Sequence, residues 1–88
     1  MARKGYTDAD REGARRLGMT LAAARAARAL SRNDVARVAG VSPEHLRLIE
    51  IGDKPGVGFL LMARIAGAVG VELAVLARVG TNNERAKA

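Results

Sequence analysis

The sequence predicts an all-α domain made of five helices. Alanine, leucine and arginine are abundant, and these residues have high helix propensity. Aromatic residues make up only 2% of the chain, so the core must come from aliphatic side chains and alanine, which suits closely packed helices better than a β-sandwich. Segments with apolar residues at helical spacing are separated by glycines and by serine or threonine caps, the usual start and stop signals of helices.

The length of the chain limits the number of domains, and its net charge indicates the kind of partner that it binds. The 88 residues predict one domain at 7–79, preceded by a flexible basic arm at 1–6 and followed by a disordered tail at 80–88. The net charge of +6 favours an acidic partner. Nucleic acid is the simplest such partner, and an anionic membrane surface or an acidic protein also fits the charge.

Several classes of function are disfavoured by composition. The chain has no cysteine and a single histidine, His45, so a disulfide framework and a metal site are not expected. No catalytic pair of nucleophile and base stands out, and we expect neither enzyme activity nor a cofactor. No apolar run approaches the roughly 18 residues of a membrane span, and no signal peptide is evident, so we expect a cytoplasmic protein without membrane contact.

The first helix is predicted to begin at Thr7 or Asp8, where a cap is followed by acidic residues. The alanine- and arginine-rich run at 21–30 reads as its continuation. Gly13 and Gly18 lower the helix propensity, so we expect the first half of this helix to be weak.

The second and third helices are short and close together. Ser31 with Asp34 three residues later resembles a capping box, and Gly40 ends the second helix. Ser42 then caps the third helix, with Pro43 at its first position. Two short helices joined by a turn that begins with glycine are the signature of a helix-turn-helix.

The third helix has an inner apolar pair, and glycine follows its end. Leu46 and Ile49 are three residues apart and therefore face the same side, which we predict to be the core. Gly52 can adopt the left-handed conformation that closes the helix.

The fourth and fifth helices are predicted at 59–69 and 72–78, after a turn-forming loop at 53–58. Both are apolar on more than one side. In the fourth helix, for example, the four consecutive residues 60–63 are all apolar. A homodimer through these C-terminal helices would bury the excess apolar surface. The alternative is that these side chains complete the core of a single chain.

These features resemble the Cro and phage-repressor type of helix-turn-helix protein, also called the xenobiotic-response-element family. The resemblance covers about 17–77, and the matching residues are Leu17, Gly18, Leu21, Arg25, Leu30, Ser31, Val35, Ala36, Gly40, Val41, Ser42, Leu46, Ile49, Glu50, Gly52, Ile65, Ala66, Ala68, Val69, Gly70 and Val71. It implies a lambda-repressor-like five-helix bundle in which 31–39 is the positioning helix and 42–51 the recognition helix. It also implies a structural ion pair between Arg25 and Glu50, with direct DNA contact by these residues as the alternative.

The resemblance places the outer side of the recognition helix in the major groove of DNA. Arg47 is the best candidate for reading a base, because a guanidinium can donate two hydrogen bonds to O6 and N7 of guanine. Glu44 can accept from a cytosine amine, Pro43 can touch a thymine methyl, and Arg32 can bind a phosphate. The predicted DNA-binding residues are Arg32, Ser42, Pro43, Glu44, His45, Arg47 and Leu48.

The same outer side differs from the usual family pattern, which is polar. Glu44, Arg47, Leu48 and Ile51 present one acid, one base and two large aliphatic side chains, with a net charge near zero. Two functions are therefore predicted. The first is a sequence-specific transcriptional regulator, acting as a repressor on a palindromic operator in double-stranded DNA. The alternative is an antiactivator or antitoxin-like protein that binds a partner protein through these four residues.

Overall fold

The computed structural model describes residues 5–81 as five helices and, in that part of the chain, no strand. The helices are α1 (Asp8–Ala27), α2 (Arg32–Ala39), α3 (Pro43–Glu50), α4 (Phe59–Val69) and α5 (Leu73–Thr81). The predicted all-α class and the five helices are confirmed. Residues 1–4 of the predicted arm and 82–88 of the predicted tail lie outside the described residues.

The start of α1 is set by a capping box. The Thr7 hydroxyl accepts a hydrogen bond from the Asp10 backbone N–H at 3.0 Å, and the Asp10 carboxylate accepts one from the Thr7 N–H at 2.9 Å. The end of α1 differs from the prediction, which continued the helix through residue 30. The helix ends at Ala27, because Ala29 adopts a positive φ of 56° and Leu30 donates its N–H back to the Arg25 carbonyl. This reversal turns Leu30 onto the core.

The start of α5 is one residue later than predicted, and its end is three residues later, so it includes Gly80 and Thr81. Arg16 of α1 explains the extension. Its Nε donates to the Val79 carbonyl at 3.0 Å and its Nη2 reaches the Gly80 carbonyl at 3.5 Å. A cation that binds the last carbonyls of a helix stabilises its C-terminal turn.

The core lies where α1 packs against α3, α4 and α5 while α2 packs against α3 and α4. The largest fully buried side chains are Leu21, Val35, Leu46, Ile65 and Val69, which come from α1 to α4. One side of α3 is thus held by its neighbours, and the other side is left open.

The glycines of α1 are contact points between helices. Gly13 and Gly18 are both buried, and α1 is continuous through them. A Cβ at Gly18 would collide with the backbone carbonyl oxygens of Ile49 and Glu50, and one at Gly13 would collide with that of Gly80. Glycine lowers the helix propensity of α1 at these two positions, but it allows α1 to approach α3 and α5 closely.

Candidate nucleic-acid interface

The helix-turn-helix is built from local hydrogen bonds. Ser31 and Ser42 cap α2 and α3, and each hydroxyl accepts from the backbone N–H three residues later at 3.0 Å. Between the helices, Gly40 has a φ of 78°, a left-handed conformation that few other residues adopt without strain. Val41 then donates its N–H to the Ala36 carbonyl at 3.0 Å, which closes the turn. The angle at which α3 leaves α2 is thus set by residues 36–42.

The inner side of α3 is held by packing and by charge. Leu46 and Ile49 are buried in the core, and the Glu50 side chain is 3% exposed beside them. Arg25 of α1 donates to this carboxylate from Nε at 2.8 Å and from Nη2 at 3.1 Å. This ion pair raises the pKa of Arg25 above its ordinary value, chiefly through the hydrogen bond to Glu50. A buried carboxylate is stable only when it is paired in this way.

Arg32, the predicted phosphate contact, is a second partner of the same carboxylate. Its Nε donates to Glu50 Oε1 at 3.1 Å. Its side chain is nevertheless 39% exposed, compared with 17% for Arg25. Arg32 therefore links the start of α2 to the end of α3 and still reaches the surface.

The outer side of α3 brings together the other residues that the sequence singled out. Ser42, Pro43 and Glu44 are exposed at its N-terminal end, and Ile51 is 50% exposed just beyond its C-terminal end. Arg47 and Leu48 are partly exposed between these ends. The predicted face is thus continuous along α3.

His45 lies at the side of this face rather than at its centre. It is half-buried and lines a cleft with Tyr6 and the loop at 53–58. The hydroxyl end of the Tyr6 side chain lies against Gly56, where a Cβ would collide with it. The end of the predicted N-terminal arm thus contacts the loop that follows α3, a contact that the sequence did not indicate.

Glu44 and Arg47 form a two-bond ion pair on the outer side. Arg47 donates from Nε to Oε1 at 2.9 Å and from Nη2 to Oε2 at 2.7 Å. The hydrogen bond from Arg47 lowers the pKa of Glu44, and the charge of Arg32 adds to this effect. This pair was not predicted from the sequence, although its spacing of three residues permits a helical ion pair.

Between Gly5 and Thr81, no group of three or more His, Cys, Asp or Glu side chains is placed to hold a metal ion. Within that same span, no single helix is long and apolar enough to cross a membrane. Among the described helices, only α4 and α5 together meet the length and composition required, as a pair bent by 116°.

Comparison with known proteins identifies the domain. A family model described as a helix-turn-helix domain matches residues 16–79. No curated protein sequence matches the chain.

Among solved structures, one crystal structure of the clp gene regulator ClgR from Corynebacterium glutamicum is 28% identical, with a TM-score of 0.68, over 85% of this chain and 92% of that chain. A second ClgR structure from the same organism is 27% identical, with a TM-score of 0.70, over 89% of this chain and 79% of that chain. The family match spans α2, α3, α4 and most of α1 and α5, and the chain therefore belongs to the helix-turn-helix domain family.

Proposed function

We propose that this protein is a DNA-binding transcriptional regulator of the Cro and phage-repressor type, with α3 as its recognition helix. The observation that carries the proposal is the two-sided character of α3. Its inner side is buried through Leu46, Ile49 and Glu50, while its outer side, with Arg47, is exposed. The family match, the similarity to the gene regulator ClgR and the net charge of +6 all support binding to DNA.

The proposed contacts divide into base contacts and phosphate contacts. Arg47 at the centre of the face is the base reader, with Pro43 and Leu48 as apolar neighbours. Arg32 is the phosphate contact, because its side chain is 39% exposed and its Nε bond to Glu50 leaves its other N–H groups to donate to a phosphate. The proposed contacts are completed by Ser42, Glu44 and His45. A repressor needs only this surface, since occupying an operator is enough to block transcription.

A homodimer through α4 and α5 is the proposed assembly. Phe59 is 70% exposed and Leu60 66% exposed, and both lie in the first turn of α4. Beside them, an apolar groove of about 550 Å³ runs between α4 and α5, lined by residues that include Phe59, Met62, Leu73 and Ala77. Exposed apolar patches of this kind often mark protein interfaces. Two copies joined here would present two α3 helices to the half-sites of a palindrome.

The assembly is tested by sedimentation and by DNA binding. We expect Phe59→Asp to shift a dimer to monomers and to weaken operator binding, because a charge in an apolar interface loses its hydration. Met19→Asp is the matched control, since Met19 is 68% exposed but lies on α1, outside the two helices of the helix-turn-helix. A wild-type protein that sediments as a monomer at operator-binding concentrations would contradict the proposal.

DNA reading is tested by a salt titration on two duplexes. One carries the promoter region next to the gene of this protein, and the other has a random sequence. We expect the promoter duplex to bind at least about a thousandfold more tightly, with an affinity that falls steeply as salt rises. Arg47→Ala is expected to remove most of this preference, whereas Arg11→Ala, which removes the same charge from α1, is expected to keep it. Equal, weak binding to both duplexes would overturn the proposal.

The second candidate function is binding of a partner protein through the same face. It is favoured by Ile51, which is 50% exposed beside the neutral pair of Glu44 and Arg47. For a protein partner, Leu48→Ala and Ile51→Ala would weaken binding more than Arg47→Ala. For DNA, the order would be reversed. Isothermal titration of the three variants against each ligand separates the two functions.

A further inference from the structure

The ion pair of Glu44 and Arg47 has a geometry that bears on how bases are read. The carboxylate accepts from Nε and Nη2, so it occupies one side edge of the guanidinium. A guanidinium has five N–H groups in one plane, and this arrangement leaves both N–H groups of Nη1 and one of Nη2. Two of these point outward together from the end of the side chain. They form the fork that matches O6 and N7 of guanine.

We propose that Glu44 is a positioning residue that holds Arg47 in the orientation that reads a guanine. The inference rests on the proposed DNA-binding function and adds to it a distinct role for the acidic residue. Glu44 then acts through Arg47, and this positioning role replaces its proposed direct contact with DNA. Both side chains are on one helix, one turn apart, so the arrangement exists before any DNA is bound.

Fixing the arginine in advance favours discrimination between bases. A free arginine side chain loses considerable rotamer entropy when it is held, and a guanidinium that is already held loses less. A held guanidinium also adapts less readily to a base that lacks the O6 and N7 pair. Guanine is therefore bound at lower cost, and other bases are rejected more strongly.

The negative charge of Glu44 has a second consequence, for random DNA. It cancels the charge of Arg47, so the pair adds nothing to the attraction of the outer face for phosphates. Arg32 lies near enough to act on Glu44 electrostatically, and this favours the ionised form of the carboxylate. Glu44 thus lowers sequence-independent affinity while it raises selectivity, and its replacement is expected to change the two quantities in opposite directions.

The experiment is selection of duplexes from a random pool, followed by competition binding. The wild-type protein is expected to enrich one guanine per half-site that Arg47→Ala no longer selects. Glu44→Gln is expected to bind random duplex several-fold more tightly and to lose about tenfold in discrimination at that same guanine. A duplex with 7-deazaguanine at this position lacks the N7 acceptor, and it should weaken wild-type binding more than binding by Glu44→Gln.

The control is Glu12→Gln on α1. It also removes one negative charge from a glutamate that pairs with an arginine three residues later, in this case Arg15. It is expected to leave discrimination at the guanine unchanged. The proposal is overturned if Glu44→Gln retains full discrimination there, or if it changes the preference at a base pair that Arg47→Ala does not affect. A wild-type protein that selects no sequence would overturn the proposed function itself, and the two failures are therefore distinguishable.

Discussion

Glu50 at the end of α3 accepts two hydrogen bonds from Arg25 of α1, from Nε at 2.8 Å and from Nη2 at 3.1 Å. The two residues are 25 positions apart in the chain, so the pair forms only when α1 and α3 pack together. It therefore ties the stability of the bundle to the placement of the outer face of α3.

Replacing Arg25 with methionine is expected to lower the free energy of unfolding by about 3 kcal/mol, because it leaves a buried carboxylate with one partner fewer. Arg32→Met is expected to lower it by about 1 kcal/mol, since Arg32 is more exposed and Arg25 still pairs with Glu50. Urea unfolding followed by circular dichroism measures both. Arg37→Met breaks an exposed pair with Asp34 and is the control, with an expected loss below about 0.5 kcal/mol. Equal losses in the three variants would contradict the special position of Arg25.

Adding one methyl group to Gly18 is expected to lower the free energy of unfolding by about 2 kcal/mol, because the Cβ would collide with the backbone of α3. The direction is informative, since alanine is the better helix former. Gly67→Ala is the matched control: Gly67 also lies inside a helix, but a Cβ there meets no atom within 4 Å. The free energy of unfolding of Gly67→Ala is expected to rise by about 0.5–1 kcal/mol, because alanine has the higher helix propensity. Thermal unfolding compares them, and a gain for both would rule out the close contact between α1 and α3.

Ala29→Gly is expected to stabilise the protein by about 0.5 kcal/mol, because glycine adopts the positive φ that alanine holds at 56° with strain. Gly40→Ala makes the opposite change at a φ of 78°, where a Cβ meets no atom within 4 Å. Because no new contact is made, Gly40→Ala tests the backbone strain alone. It is expected to lower the free energy of unfolding by about 1 kcal/mol. The midpoints of urea unfolding report both changes. A stabilising effect of Gly40→Ala would show that the left-handed turn is not maintained in solution.

The pKa of the Glu44 carboxyl is expected to lie below its ordinary value, because Arg47 donates two hydrogen bonds to it. A carboxyl whose pKa is lower in the folded state stabilises that state at pH values above the unfolded pKa. This contribution is lost as the pH falls through the folded pKa. The ion pair should therefore persist without change between pH 5 and 8, over the working range that we expect for DNA binding.

The titration of Glu44 can be followed by carbon NMR of its carboxyl group. In Arg47→Ala, the midpoint is expected to rise toward the ordinary value, since the principal cause of the lowered pKa is removed. An Arg11→Ala variant should leave the midpoint in place. If the wild-type midpoint already equals that of Arg47→Ala, the ion pair does not form in solution.

Much of the fold follows from the sequence because its signals are local. The caps at Ser31 and Ser42 depend on hydrogen bonds to residues only three positions away, so the order of side chains is enough to predict where α2 and α3 begin. The spacing of Leu46 and Ile49 likewise predicts which side of α3 faces the core. The pair of Glu44 and Arg47 is local in the same sense, and its spacing of three residues was a sufficient signal for predicting it.

The remaining features depend on residues that are distant in the chain. Arg32 meets Glu50 across 18 positions, and Gly18 meets the end of α3 across more than 30, so neither contact has a periodic pattern to reveal it. The extension of α5 depends on Arg16, which reaches its last carbonyls only in the folded bundle. The existence of the five helices and the outward side of α3 follow from neighbours along the chain, whereas the end of α1 and the two ends of α5 were predicted only to within about three residues. The bond from Arg32 to Glu50 and the close contact of Gly18 with α3 are seen only in the folded bundle, because they exist only after the helices have packed.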